Sequence, residues 1–157
     1  MRLFNIKQSG YTLVELLVVI SVMSILMGFV ISNLLGGRIR ARDAQRKSDL
    51  REIQSALEMY RADLGNYPLT ANFPACTSSP NSLVNGSTTY MVKIPCDPLK
   101  TTTSYTYTAS GTCGTGACSY TLDACLENVN DQDSHNKTDN ACTAVNGTSK
   151  KFHLDSP

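Results

Sequence analysis

The chain has 157 residues, 41% of them hydrophobic and 17% charged, with a formal net charge of +1. This length accommodates one small domain and one membrane helix, but not two large cores. From residue 66 onward the sequence has five lysines, no arginine and seven acidic residues, a composition that gives nucleic acid no basic face to bind.

A long apolar run follows a short basic leader, residues 1–10. It extends from Tyr11 to Leu35, 25 residues, and its only charged side chain is Glu15. As a helix the run would rise about 37 Å, more than the hydrocarbon thickness of about 30 Å, so we predict a transmembrane helix over residues 11–35. An ionised carboxylate in that layer costs on the order of 3 kcal/mol. Glu15 therefore either reaches the lipid headgroups or has an assigned partner, and we expect a partner.

The residues around this carboxylate read Gly-Tyr-Thr-Leu-Val-Glu, from Gly10 to Glu15. The segment resembles the prepilin signal of type IV pilins and type II secretion pseudopilins. The resemblance implies that a prepilin peptidase cleaves after Gly10 and methylates the new amino terminus at Tyr11, where the family usually has Phe. The competing interpretation is an ordinary secretory signal, whose apolar core of about 7–15 residues ends in an A-x-A-like site. The run is longer and lacks such a site, so we expect it to stay in the mature protein.

A second helical pattern follows the apolar run. Its apolar residues recur at helical spacing: Leu50, Ile53, Leu57, Tyr60 and Leu64. This stripe predicts an amphipathic helix over residues 36–65 that packs one face against the soluble part of the chain. Gly65 and Pro68 are typical residues at the end of a helix.

Three further segments resemble the major pseudopilin branch of the same family. They are Ser-Asn-Leu-Leu-Gly-Gly at 32–37, Ala-Leu-Glu-Met-Tyr at 56–60 and Gly-Asn-Tyr-Pro at 65–68. The turn Pro-Cys-Asp-Pro at 95–98 also looks like a turn of major pseudopilins. The resemblance implies a pilin-like fold.

The sequence from residue 66 to 157 is rich in Thr, Ser, Asn, Gly and Pro, and we predict a soluble β domain there. Strands are predicted over Thr89–Ile94, Thr103–Ala109 and Ser119–Cys125, and glycines between residues 111 and 116 indicate a hairpin loop between the last two. We therefore predict an α+β protein, in which a long N-terminal helix packs on a small antiparallel sheet.

Six cysteines lie in the predicted β domain. An even number in a small, loop-rich domain favours disulfides, while the absence of a C-x-x-C pair argues against a zinc site. Six cysteines allow fifteen pairings. The expected pairs are Cys76–Cys96, Cys113–Cys118 and Cys125–Cys142.

Two rules disagree about the compartment of the β domain. Disulfides place it in an oxidising compartment. The positive-inside rule places it in the cytoplasm, because Arg2 and Lys7 precede the apolar run whereas six basic residues follow it between Arg38 and Arg51. We give the cysteines and the family resemblance more weight, and expect the N terminus to be cytoplasmic and the β domain extracytoplasmic.

The sequence shows no catalytic constellation. His135 and His153 have no neighbouring nucleophile, so we do not predict an enzyme. Major pseudopilins bind calcium in a C-terminal loop, and the resemblance extends this expectation to Asp131, Asp133 and Asp139, although the loop does not match theirs residue by residue. The alternative is a solvated acidic loop.

The predicted function is that of a structural subunit stored in the cytoplasmic (inner) membrane. The resemblance implies self-association through the apolar helix into a type II secretion pseudopilus that drives protein export. It also implies a prepilin peptidase, minor pseudopilins and an inner-membrane assembly platform with a separate ATPase as partners, while no nucleic acid is expected. Glu15 is expected to pair with the Tyr11 amine of a neighbouring subunit. The alternatives are a type IV pilus or DNA-uptake pilin, and an uncut, signal-anchored binding ectodomain.

Overall fold

The computed structural model describes residues 10–100, 102–133 and 150–157, with only the backbone described for residues 29–35 and 150. One long helix, α1 (Leu13–Leu64), precedes a short 3-10 turn at Thr70–Asn72. The strands of the described residues are β1 (Leu83–Asn85), β2 (Thr88–Met91), β3 (Thr106–Ser110), β4 (Ser119–Leu126) and β5 (Lys150–Asp155). The predicted α+β class, a long N-terminal helix and small antiparallel sheets, is confirmed.

The chain divides into two compact units, one ending at Arg38 and the other running from Ile39 to Pro157. The described part of the first unit contains the beginning of α1. The second unit contains the rest of α1 and the strands. The second unit therefore combines the predicted β domain with the second half of the helix, because the helix supplies part of its core.

The buried face of α1 lies in the second unit. Three members of the predicted stripe, Leu50, Ile53 and Leu57, are completely buried. Leu64, the last member, is 37% exposed, so the buried stripe ends before the helix does. The helix itself ends at Gly65, whose φ of +74° suits glycine and whose N–H donates to the Arg61 carbonyl oxygen at 2.7 Å.

Two antiparallel sheets follow the helix. β1 pairs with β2, and β4 lies between β3 and β5. The predicted hairpin between β3 and β4 is confirmed, with Ser110 opposite Ser119. The bounds of the predicted strands shift: the first ends at Met91 rather than Ile94, and β3 begins at Thr106 rather than Thr103. The third ends at Leu126, one residue later than predicted. The first ends early because the Ile94 N–H donates to the Asn81 carbonyl oxygen, outside the β1–β2 ladder.

Tyrosines fill the core between α1 and the three-stranded sheet. The rings of Tyr67 and Tyr120 are buried, with centroids 4.6 Å apart. Both hydroxyl groups donate to Glu58 Oε1 of the helix, at 2.9 and 3.1 Å. Buried phenols need such partners, so these bonds fix the position of the sheet on the helix.

Candidate functional site

The predicted processing site lies immediately before α1. Tyr11 is 88% exposed, and Gly10 is exposed as well. A Cβ atom added at Gly10 would meet nothing within 4 Å among the described residues. Packing among the described residues therefore does not require glycine at this position, and the residue is exposed.

Thr12 and Glu15 form a reciprocal cap at the start of α1. The Glu15 N–H donates to Thr12 Oγ1 at 3.3 Å, and the Thr12 N–H donates to Glu15 Oε2 at 2.9 Å. The Thr12 hydroxyl donates to the same carboxylate oxygen at 2.9 Å. This capping box satisfies N–H groups that a helix start otherwise leaves without a partner. The Thr-x-x-Glu pattern of Thr12 and Glu15 is the sequence signal of this cap, and it was not used to predict the start of the helix.

The first part of α1 presents apolar side chains on all sides. From Leu13 to Met27, every leucine, valine, isoleucine and methionine is at least 49% exposed. The hydroxyl groups of Ser21 and Ser24 donate to carbonyl oxygens of the helix itself, at 2.8 and 2.7 Å. An exposed apolar surface of this extent is typical of an interaction site. In the part of the chain that the structure describes, no helix is both long and apolar enough to span a membrane.

Arg46 joins α1 to two loops of the second unit, and its side chain is only 3% exposed. The guanidinium donates to both carboxylate oxygens of Asp97 at 2.7 and 3.0 Å, and to Asp43 Oδ1 and Glu127 Oε1 at 2.7 Å each. Burial opposes ionisation of Asp97, but the hydrogen bonds from Arg46 outweigh it and lower the pKa of that carboxyl group. Asp43 also accepts the backbone N–H groups of Glu127 and Asn128.

The basic segment after the apolar run is therefore partly neutralised in the folded protein. Arg42 pairs with Glu127 and Lys47 pairs with two aspartates, so among the described residues at least three of the six basic residues, counting Arg46, have carboxylate partners. These pairs were not predicted, because the basic residues alone do not show which distant carboxylates they contact.

The acidic loop predicted to bind calcium contacts a lysine. Lys47 Nζ lies 2.6 Å from Asp131 Oδ1 and 2.9 Å from Asp133 Oδ2. Asp139, the third predicted ligand, lies outside the described residues. Among the residues the structure does describe, no group of three or more His, Cys, Asp or Glu side chains is arranged to hold a metal ion. Calcium binding stays a prediction.

The cysteines of the described residues form disulfides. Cys76 pairs with Cys96, and Cys113 with Cys118, at Cα–Cα distances of 5.2 and 4.9 Å. These are two of the expected pairs. Cys125 is also disulfide-bonded, and its expected partner, Cys142, lies outside the described residues.

The side chain of His153, in β5, lies between two carboxylates. Its Nδ1 lies 2.5 Å from Asp123 Oδ1 and its Nε2 lies 2.7 Å from Asp155 Oδ1. Both ring nitrogens thus face carboxylates on neighbouring positions of the sheet. His135, the other histidine, lies outside the described residues.

Two family models match the chain. The prokaryotic N-terminal methylation motif matches residues 5–31, and the model of type II secretion system (T2SS), protein G matches residues 33–138. No solved structure matches the chain.

Several curated proteins are similar to the chain. It is 35% identical over 99 residues to type II secretion system core protein G of Aeromonas hydrophila, covering 59% of this chain and 68% of that protein. Identity to the core protein G of Pseudomonas aeruginosa is 33% over 113 residues, or 69% of this chain and 78% of that protein. Identity to the Escherichia coli core protein G is 33% over 97 residues, or 59% and 67%.

The protein G model covers more than half of the chain, and the methylation motif covers the segment with Gly10 and the capping box. Both agree with the resemblance identified in the sequence. The chain therefore belongs to the type II secretion system protein G family, the major pseudopilins, which are structural proteins and not enzymes.

Proposed function

We propose that the chain polymerises through its N-terminal helix into a pseudopilus and so drives protein export. The observation that carries this proposal is the exposed apolar surface between Leu13 and Met27, directly after the processing motif. In the sequence the apolar run continues to Leu35. In the filament, the apolar helices of neighbouring subunits would cover this surface and keep it from water once the subunit leaves the bilayer.

Before assembly, we propose, the chain is stored in the cytoplasmic membrane with residues 11–35 in the bilayer. A prepilin peptidase would cleave after Gly10 and methylate Tyr11, both of which are accessible. The N terminus would be cytoplasmic and the second unit extracytoplasmic. The disulfides support this orientation, because such bonds persist in oxidising compartments.

Glu15 is proposed to set the register of assembly. Within one straight helix the Tyr11 amine and Glu15 are about 6 Å apart along the axis, so the amine of a neighbouring subunit is the better partner. Thr12 supports this role, since its two hydrogen bonds hold the carboxylate at the N-terminal end of the helix. An ion pair between subunits would offset the cost of a charge in an apolar layer.

The other proposed partners follow from the family. They are minor pseudopilins and an inner-membrane assembly platform with a separate ATPase, which would add subunits at the base of the filament.

The test is complementation of a strain that lacks the gene. Wild-type chain should restore export of secreted proteins into the medium, and mass spectrometry should find mature protein that begins at N-methylated Tyr11.

Gly10→Leu should leave uncleaved precursor in the membrane. Glu15→Leu should be cleaved normally, because a more apolar helix inserts at least as well, yet fail to enter the sheared filament fraction. Glu52→Leu is the matched control, since Glu52 is an exposed carboxylate outside the apolar run, and it should assemble.

Three results would contradict the proposal. Normal export in the deletion strain, with loss of twitching, adhesion or DNA uptake, would identify a type IV or competence pilin. An intact Met1 in assembled protein would exclude processing. Wild-type assembly of Glu15→Leu would show that the carboxylate only reaches the headgroups.

A further inference from the structure

Lys47 is held by two segments that are distant in sequence. Its Nζ donates to Asp131 Oδ1 at 2.6 Å and to Asp133 Oδ2 at 2.9 Å, and lies 5.6 Å from the centroid of the Phe152 ring. The lysine side chain is 14% exposed, and that of Asp131 is 15% exposed. The ammonium group is thus largely enclosed by carboxylates and an aromatic face, both of which attract a cation.

The two aspartates share the positive charge of Lys47, with Asp131 mostly buried and Asp133 63% exposed. They are two positions apart on one loop, and the Asp133 N–H donates to Asp131 Oδ1 at 3.0 Å, so the loop folds back on itself at this point. Like charges held this close repel one another unless a cation neutralises them. Burial works against the charge on Lys47, but hydrogen bonds to Asp131 and Asp133 raise its pKa.

A divalent cation cannot share this position with the lysine. Calcium takes about 6–8 oxygen ligands at roughly 2.3–2.6 Å, so it would occupy the carboxylate oxygens that Lys47 Nζ already contacts. The ammonium and the metal would then lie within a few Å of each other and repel strongly in a partly buried site.

We propose that the Lys47 ammonium is the resident cation of the Asp131–Asp133 loop, and that a divalent cation binds there only when the ammonium is removed. The loop would then be fixed by a charge that belongs to the chain and is independent of calcium concentration. The inference does not depend on the assembly function proposed above.

The test measures thermal unfolding of the full chain in detergent, with millimolar calcium chloride or EDTA. Lys47→Met keeps the length of the side chain and removes its charge, whereas Lys47→Arg keeps the charge. Lys93→Met is the matched control, because Lys93 is exposed and has no ion pair among the described residues. Wild type, Lys47→Arg and Lys93→Met should melt at the same temperature with calcium and with EDTA. Lys47→Met should melt lower in EDTA and recover by about 3 °C or more in calcium.

Two outcomes would overturn the proposal: stabilisation of the wild type by calcium, or no response of a folded Lys47→Met to calcium. If Lys47→Met does not fold, Asp131→Asn and Asp133→Asn are added to it. This triple variant should fold, because it lacks the repulsion that the ammonium relieves, and it should not respond to calcium. Failure of the triple variant to fold would likewise overturn the proposal.

Discussion

One charged residue of α1, Arg46, links the helix to loops of the second unit. The Arg46 guanidinium contacts three carboxylates, and its side chain is almost fully buried. Burying charges costs several kcal/mol for each ion, and this cost is offset only when every charge has well-placed partners. The bidentate contact with Asp97 provides the best geometry of the three, because its two parallel hydrogen bonds match the shape of the guanidinium.

Replacing Asp97 with Asn should destabilise the protein in a pH-dependent way. We expect a loss of about 3 kcal/mol at neutral pH, because Arg46 stays buried with one charged partner fewer. The pKa of Asp97 is lowered from the ordinary value of 3.8, so its stabilising effect is complete above that pH and is lost as the pH falls through the folded-state pKa. Urea unfolding of wild type and variant at several pH values would measure the difference.

The difference in unfolding free energy should be constant near neutral pH and shrink below pH of about 4. Glu52→Gln serves as the control, since Glu52 is exposed and belongs to no ion pair among the described residues. A difference that persists undiminished in acid would contradict the assignment of this stability to the charge of Asp97.

The buried face of α1 begins earlier in the helix than its apolar stripe does. Asp43 and Arg46 are buried on the same side as Leu50, Ile53 and Leu57, at spacings of three and four residues. The sequence predicted the apolar half of this face because hydrophobic periodicity is visible locally. It did not predict the charged half, because charged side chains are usually exposed unless a partner is present. Those partners lie 51 to 85 positions away in the sequence.

The strands, too, were predictable only where the local sequence pattern was sufficient. β3 and β4 were predictable from alternation and from the glycines between them. β5 was not predicted, because the segment is short and has only two large apolar residues, Phe152 and Leu154, while its charged and polar residues contact β4. Lys151 and His153, for example, both lie within 3 Å of Asp123 carboxylate oxygens. The strand is specified by this cross-strand pairing as much as by its apolar face.

The loop between β3 and β4 should tolerate no side chain at Gly116. A Cβ atom there would collide with the Asn66 side chain and the Tyr67 carbonyl oxygen. The loop is held in this position by the two hydrogen bonds between Tyr67 and Ala117, both 2.9 Å. Gly116→Ala should therefore lower the free energy of unfolding by about 1–3 kcal/mol, the usual cost of overpacking.

Thermal unfolding of Gly116→Ala would check this expectation. Gly37→Ala is the control, because a Cβ at Gly37 meets nothing within 4 Å and alanine favours the helix. Unchanged stability of Gly116→Ala would mean that the loop does not pack against the end of α1.

Across the whole molecule, the disulfides constrain segments of very different length. Cys76 and Cys96 are 20 positions apart, whereas Cys113 and Cys118 are 5 apart. In the chain-entropy model, loops of these lengths correspond to about 3 and about 2 kcal/mol of stabilisation. Replacing both cysteines of the first pair with serine should therefore cost more than replacing both cysteines of the second pair.

Denaturant unfolding of the two double variants would measure this order, with the wild-type chain as reference. The reverse order would show that native packing around the short loop, rather than restriction of the unfolded chain, determines the effect.

The long separation between contacting residues also affects when the protein can fold. Lys47 meets Asp133 across 86 positions, and β4 gains its second neighbour only when β5, residues 150–155, is available. Contacts between residues so far apart need both segments, so a chain still emerging from the ribosome cannot complete the three-stranded sheet until residues 150–155 have followed. A chain without β5 would expose the edge of β4, a state open to proteases and to aggregation.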